Sequence, residues 1–192
     1  MSGNTLLIGN ARIISPDFDL AGGAVLVADG MIRRLFAPGD ELPAAEFKVD
    51  LGGRMLMPGF IDIHTHGRSG FEFTDGDSAH LATMCADKLG EGVTSWLPTT
   101  LTLGREELRR ALSCARSHVA SGVPGARMPG VHLEGPYINS KCLGAQNPAF
   151  VREPDIDEVL ELHAIFPVLK VSYAVEVPGG DRFAAELRSA GI

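Results

Sequence analysis

The sequence predicts an α/β fold with a parallel sheet, and three observations predict it. Beyond residue 57, apolar strand-like runs alternate with stretches of helical periodicity, four times in series. Two of those runs end in chemistry-bearing side chains just before a glycine, Asp62-Ile63-His64-Thr65-His66-Gly67 and His132-Leu133-Glu134-Gly135. That is where parallel sheets and βα barrels place their ligands, at the carboxyl ends of strands. Before residue 57 the chain instead has short apolar runs punctuated by Gly, Asp and Pro.

Residues 1–56 read as a small antiparallel β unit. Its apolar runs are 5–8, 12–14, 24–28 and 31–36, and Asp29-Gly30 between the last two signals a tight hairpin. Residues 57–192 open with Pro58-Gly59 as a turn into a strand over 60–66. Leu81, Met84, Cys85 and Leu89 form one stripe of a helix over 78–90. A strand over 94–99 follows, then a helix over 105–119 with Leu108, Leu112 and Ala115 inward. The third strand is 130–134; after a long loop come a helix over 156–166, a strand over 168–175 and a helix over 182–189 stopped by Gly191. Four βα units in series require a parallel sheet with right-handed crossovers. A closed βα barrel needs eight. The alternatives are an open four-stranded domain or the first half of a longer barrel, and the open domain leaves two apolar strand edges unpaired.

Composition narrows the function. With 45% hydrophobic and 21% charged residues the 192-residue chain is globular in character. Its formal charge of −7 argues against a nucleic-acid or anionic-membrane surface, since both need clustered Lys and Arg. Cys85, Cys114 and Cys142 form no CxxC pair, so neither a disulfide framework nor a thiolate zinc site is expected, and a reducing cytoplasm fits. The amino terminus has no leader-like pattern and no run approaches the ~18 apolar residues of a membrane span. Neither secretion nor membrane insertion is expected.

The strand over 60–66 carries the first sign of chemistry. Side chains alternate across a strand, so Asp62, His64 and His66 share one face while Ile61, Ile63 and Thr65 take the other. Two imidazoles beside a carboxylate on an otherwise apolar strand are costly unless something pairs them, and a divalent cation does. Alternation likewise puts His132 and Glu134 on one face of the third strand, where Glu134 meets the histidines of the first. His64, His66 and Glu134 with an open position form a hydrolytic site for zinc or a similar cation. His132, deeper in its strand, reads as a neighbour that orients a ligand, as does Asp62. Iron, manganese and cobalt suit the same donors, with one or two ions.

These residues resemble a known family. The stretch Pro58-Gly59-Phe60-Ile61-Asp62-Ile63-His64-Thr65-His66-Gly67 is similar to the opening metal motif of the amidohydrolase superfamily, shared by dihydroorotases, allantoinases and aminoacylases. His132-Leu133-Glu134-Gly135-Pro136 resembles the more selective third-strand motif of its N-acetylglucosamine-6-phosphate deacetylase branch. Phe73-Thr74-Asp75-Gly76, Gly92-Val93-Thr94-Ser95-Trp96-Leu97-Pro98-Thr99 and Asn147-Pro148-Ala149-Phe150-Val151 resemble further segments of that branch. The resemblance implies the first half of a metal-dependent (β/α)8 barrel preceded by part of a small β-sandwich, in a cytoplasmic, homodimeric enzyme. The implied reaction removes the acetyl group of a 6-phosphorylated amino sugar, a small-molecule substrate. It makes Glu134 the principal metal ligand, gives His64 and His66 a site that some members fill, and places Ala145 and Gln146 at the substrate. The family's catalytic acid/base Asp and two further His ligands are expected beyond residue 192, so none of these 192 residues is assigned as the catalytic base.

Two departures bear on the substrate. Gln146 stands where the family commonly has His, and Ala174-Val175-Glu176 where it has Ala-Pro-Glu. Gln hydrogen-bonds but carries no cationic charge. N-acetylgalactosamine 6-phosphate, an unphosphorylated N-acetyl sugar, a dihydroorotase-like amide or an N-acyl amino acid are the competing substrates, and a non-catalytic half-barrel module is the competing class. Lys170 sits on the strand where some amidohydrolases carry a carboxylated lysine, but it is expected near the amino end, away from the ligands. Glu176 reads as a strand-end or loop residue. His80, His118 and His163 read as solvated helix positions, and Gly179-Gly180 as a βα turn.

Overall fold

The computed structural model of the chain describes residues 4–192. Met1, Ser2 and Gly3, on which the leaderless reading partly rests, lie outside the described residues. The chain divides into two compact units, Met1–Pro58 and Gly59–Ile192.

In the first unit, β1 (Thr5–Ser15), β2 (Phe18–Ala28) and β3 (Met31–Phe36) form antiparallel pairs. Asp29 and Gly30, at φ 53° and 73°, make the expected hairpin turn, because both central positions of that tight turn need positive φ. The sheet is not purely antiparallel, however. After residues 37–46 the chain returns along the other edge of β1, where β4 (Phe47–Asp50) and β5 (Met55–Leu56) pair with it in parallel. Both strands are too short for their side chains to show a period in the sequence. Leu7, Ala24 and Phe36 form one small buried cluster and Ala11, Ile13 and Val25 another.

The second unit follows the expected alternation. Its elements are β6 (Phe60–Thr65), the short hairpin β7 (Gly67–Arg68) and β8 (Phe71–Glu72), α1 (Ser78–Gly90), β9 (Val93–Pro98), α2 (Arg105–Ser121), β10 (Val131–Glu134), α3 (Ile156–Ile165), β11 (Val168–Ser172) and α4 (Gly180–Ser189). Strands β6 and β9 pair in parallel, as do β10 and β11. Parallel bridges Ser95↔Arg127 and Thr99↔His132 join the two halves in the order β6, β9, β10, β11.

Helices α1 and α3 begin where the sequence supplies side-chain acceptors for free N–H groups. Asp77 accepts from the Ala79 and His80 amides, and Asp155 accepts from Glu158 N. Leu108, Ala111, Leu112 and Ala115 of α2 pack into a core with Trp96, Val131, Leu133, Tyr137 and Phe183. In β10 the alternation is clean. Val131 and Leu133 enter this core while His132 and Glu134 take the other face. On β6, Ile61 and Ile63 are exposed. Among the described residues no helix is long and apolar enough to cross a membrane.

Candidate metal centre

The histidines reach their positions through an irregularity in β6. Its ladder with β9 runs Asp62↔Trp96 and then Thr65↔Pro98, so β6 carries one more residue than its partner over that interval. The extra residue breaks the alternation on which Asp62 was expected to join the histidines. Asp62 instead faces α1, accepting from Thr65 Oγ1 (2.5 Å) and from the buried ammonium of Lys88 (2.8 Å). Its carboxyl is held below the usual range against the cost of burial, by Lys88, Thr65 and the His64 amide. Its contribution is to pin the strand just before the histidines. Gly67 ends the segment, because a Cβ there would lie 2.1 Å from the Phe71 carbonyl oxygen.

His64, His66 and Glu134 converge, with one ligand atom from each lying within 4.8 Å of the others. His66 Nε2 is 2.8 Å and His64 Nε2 3.7 Å from Glu134 Oε2. Gly135 follows Glu134 at φ 72°, and a Cβ there would lie 2.1 Å from Thr102 Oγ1, so this turn tolerates only glycine.

The protons of the cluster can be assigned from its neighbours. His66 Nδ1 lies 3.2 Å from the Thr99 carbonyl, which only accepts, so Nδ1–H donates, and in the neutral imidazole Nε2 then presents a lone pair. That lone pair meets Glu134 Oε2, a buried oxygen that accepts no hydrogen bond despite its 2.8 Å contact. Lone pairs facing lone pairs repel unless a cation lies between them. Two imidazoles and a carboxylate, partly exposed on one side, therefore fit a divalent cation with an open position.

His132 is placed beside this cluster and not within it. It is 1% exposed, with Nδ1 3.2 Å from His64 Nδ1 and Nε2 2.8 Å from Ser172 Oγ. Burial, followed by the charges of Lys170, His64 and His66, lowers its pKa to about 4. Lys170 lies in mid-strand, paired with His132 in the β10–β11 ladder, nearer the site than its expected place at the strand's amino end. Ser172 and Thr99 went unnoticed in the sequence. The one available signal was a polar residue ending the apolar run Val168 to Ser172.

The loop after β10 supplies the rest of the site. A cavity of about 270 Å³ is lined by Glu134, Asn139, Cys142, Gln146, Ser172 and Glu176, among others. Gln146 Oε1 accepts from the Thr102 amide at 2.7 Å, which leaves its NH2 group as the free donor. Ala145 is exposed and does not line the cavity. Glu176 accepts from Asn139 Nδ2, which lowers its pKa.

The remaining histidines lie outside the cluster but are not simply solvated. His80 stacks on Phe71 and contacts Asp75 at 2.8 Å, and His163 Nδ1 meets the Val168 backbone. His118 is 4% exposed, its Nδ1 has no partner, and burial lowers its pKa. The fold favours its neutral form, so its contribution is complete above the unfolded value of about 6.5 and is lost as pH falls through the depressed folded value. Urea midpoints measured between about pH 7 and about pH 5 should fall less steeply for His118→Leu than for the parent. Parallel pH profiles would remove His118 as a source of acid sensitivity.

No protein-family model matches the chain. It is 32% identical over 154 residues to an N-acetylgalactosamine-6-phosphate deacetylase of Escherichia coli, covering 80% of this chain and 39% of the relative. It is 33% identical over 156 residues to an N-acetylglucosamine-6-phosphate deacetylase of Bacillus subtilis, with the same shares covered. The N-acetyl-D-glucosamine-6-phosphate deacetylase of Mycobacterium smegmatis, solved in complex with N-acetyl-D-glucosamine-6-phosphate, superposes with a TM-score of 0.81 at 27% identity. That match covers 99% of this chain and 49% of the solved one. The chain thus spans about two fifths of the length of the curated relatives it matches. By sequence over about 80% of its length and by fold over nearly all of it, this chain is homologous to part of the N-acetylglucosamine-6-phosphate deacetylases, which are amidohydrolase-type enzymes.

Proposed function

We propose that the protein carrying this chain hydrolyses the acetamide of N-acetylglucosamine 6-phosphate to glucosamine 6-phosphate and acetate, in a reducing cytoplasm. The convergence of His64, His66 and Glu134 at one buried, unpartnered carboxylate oxygen supports this reading most directly. The barrel would be the (β/α)8 kind, with the first unit as part of a small β-sandwich domain. A divalent cation held by these three side chains, zinc by preference, supplies a Lewis acid for the acetamide carbonyl and acidifies a water. His66 serves through its Nε2 lone pair, oriented by the Thr99 carbonyl. Gln146 offers its NH2 group to a hydroxyl or phosphate oxygen of the sugar. Asp62 and Lys88 hold the strand that carries the histidines. Proton transfer falls to an Asp outside these residues, so the 192-residue chain alone is inactive.

The E. coli relative's name makes N-acetylgalactosamine 6-phosphate the second substrate to try, and Gln146 in place of His is the residue that could shift the preference. The test is amine release by the protein that contains this chain. Release from an N-acetylhexosamine 6-phosphate, abolished by Glu134→Gln, is the expected result. Cleavage of dihydroorotate or an N-acyl amino acid with the sugar phosphates intact would sink the proposal.

A further inference from the structure

The site contains a chain of polar contacts that reaches past its three converging side chains. Ser172 Oγ lies 2.8 Å from His132 Nε2, and His132 Nδ1 lies 3.2 Å from His64 Nδ1. From there His64 Nε2 faces Glu134. We propose that Ser172 and His132 act as positioning residues that set the proton of His64, holding it on Nδ1 so that the Nε2 lone pair points at Glu134. In this arrangement His132 Nε2–H donates to Ser172 Oγ, and His132 Nδ1 accepts from His64 Nδ1–H. The inference rests on the metal-site reading above and extends it to Ser172.

The need for an unprotonated nitrogen at the cation selects this polarity over its reverse. Reversed, His64 would carry its proton on Nε2, the nitrogen that faces Glu134, and a protonated nitrogen has no lone pair to give a cation held there. Thr99 Oγ1 cannot take over from His64 as donor to His132, because its hydroxyl already donates to the Leu97 carbonyl and its other contact with His132 is a long 3.4 Å. A ligand histidine whose far N–H is held in this way is oriented and made more basic, and loss of such a partner typically costs about 10–100-fold in metal affinity.

The test uses the whole chain labelled with 15N at histidine, with long-range 15N–1H correlation to read each tautomer and zinc titration to read affinity. His64 is identified by the signal missing from His64→Gln. The expected result is a parent whose metal-free His64 is protonated on Nδ1. Ser172→Ala should depopulate that form and weaken zinc binding by about tenfold, and Ser172→Thr, which keeps the hydroxyl, should restore both. Ser172 is partly exposed, so its truncation leaves the fold in place. A parent His64 protonated on Nε2, or a Ser172→Ala variant matching the parent in tautomer and affinity, would overturn the relay. Zinc binding with an unchanged tautomer would leave the metal site standing without it. The tautomer change in a chain that binds no zinc would keep the relay and remove the metal site.

Discussion

Glu134→Gln is expected to abolish high-affinity zinc binding while leaving the metal-free protein as stable as the parent, or more so. The substitution keeps the side chain's shape but replaces a charged oxygen ligand by an amide. Without metal, Glu134 Oε2 is a buried acceptor facing the His66 lone pair, and neither gains from the contact. The Gln amide can donate to that lone pair, a hydrogen bond typically stabilising by about 1 kcal/mol. With metal, the variant loses the anionic donor that holds the two imidazoles to one cation. The loss should be at least about 100-fold, since even the partners of metal ligands contribute about 10–100-fold. His64→Ala combined with His66→Ala should empty the site as well, and His118→Leu should leave it filled. Zinc per chain, measured after gel filtration, reads all three. Equal metal content in the Glu134 and His118 variants would remove the cluster from the account.

The second large effect is structural. Glu158 opens α3 at 3% exposure, and its carboxylate is met by Arg152 at 2.6 and 2.9 Å, by Tyr137 OH at 3.0 Å and by Arg105 at 3.5 Å. Burial and the Glu158 charge together push the Tyr137 phenol up, so it remains a donor throughout. Arg152 also donates to the carbonyls of Leu103 and Phe150. One guanidinium thereby ties the loop carrying Gln146 to α3 and to the segment after β9. Arg152→Ala leaves a buried carboxylate short of its cation and should destabilise the second unit by about 3–5 kcal/mol. Removing both charges by Arg152→Met with Glu158→Leu should recover much of that loss, because no buried charge is then left unpaired. The only tryptophan, Trp96, is fully buried in this unit, so its fluorescence in urea reports the transition. A loss below about 1 kcal/mol for Arg152→Ala would show the pair to be solvated and the clamp absent.

Much of the second unit could be read from its amino acids. The helix of α1 falls on residues 78–90 because Asp77 caps it and Leu81, Met84 and Cys85 recur at helical spacing. These are local effects, written within a few turns of chain. The strand over 168–175 stops earlier, at Ser172, and α4 begins two residues sooner than its apolar pattern, at Gly180 after the positive φ of Gly179. The parallel edge strands of the first unit were hidden, since Phe47–Asp50 is exposed throughout and owes its conformation to β1.

That two histidines end one strand and a glutamate ends another is written in the order of the amino acids, and alternation along β10 is enough to separate Glu134 and His132 from the core. Which of these side chains meet depends on how the strands pair. One additional residue in β6 sends Asp62 to Lys88 and away from the histidines. The β10–β11 ladder brings Lys170 and Ser172 to His132, and the loop after β10 turns the Gln146 carbonyl towards Thr102. Periodicity counts residues along one strand, whereas a register shift or a cross-strand partner is fixed by the neighbouring strand, so no period in a single strand can carry it.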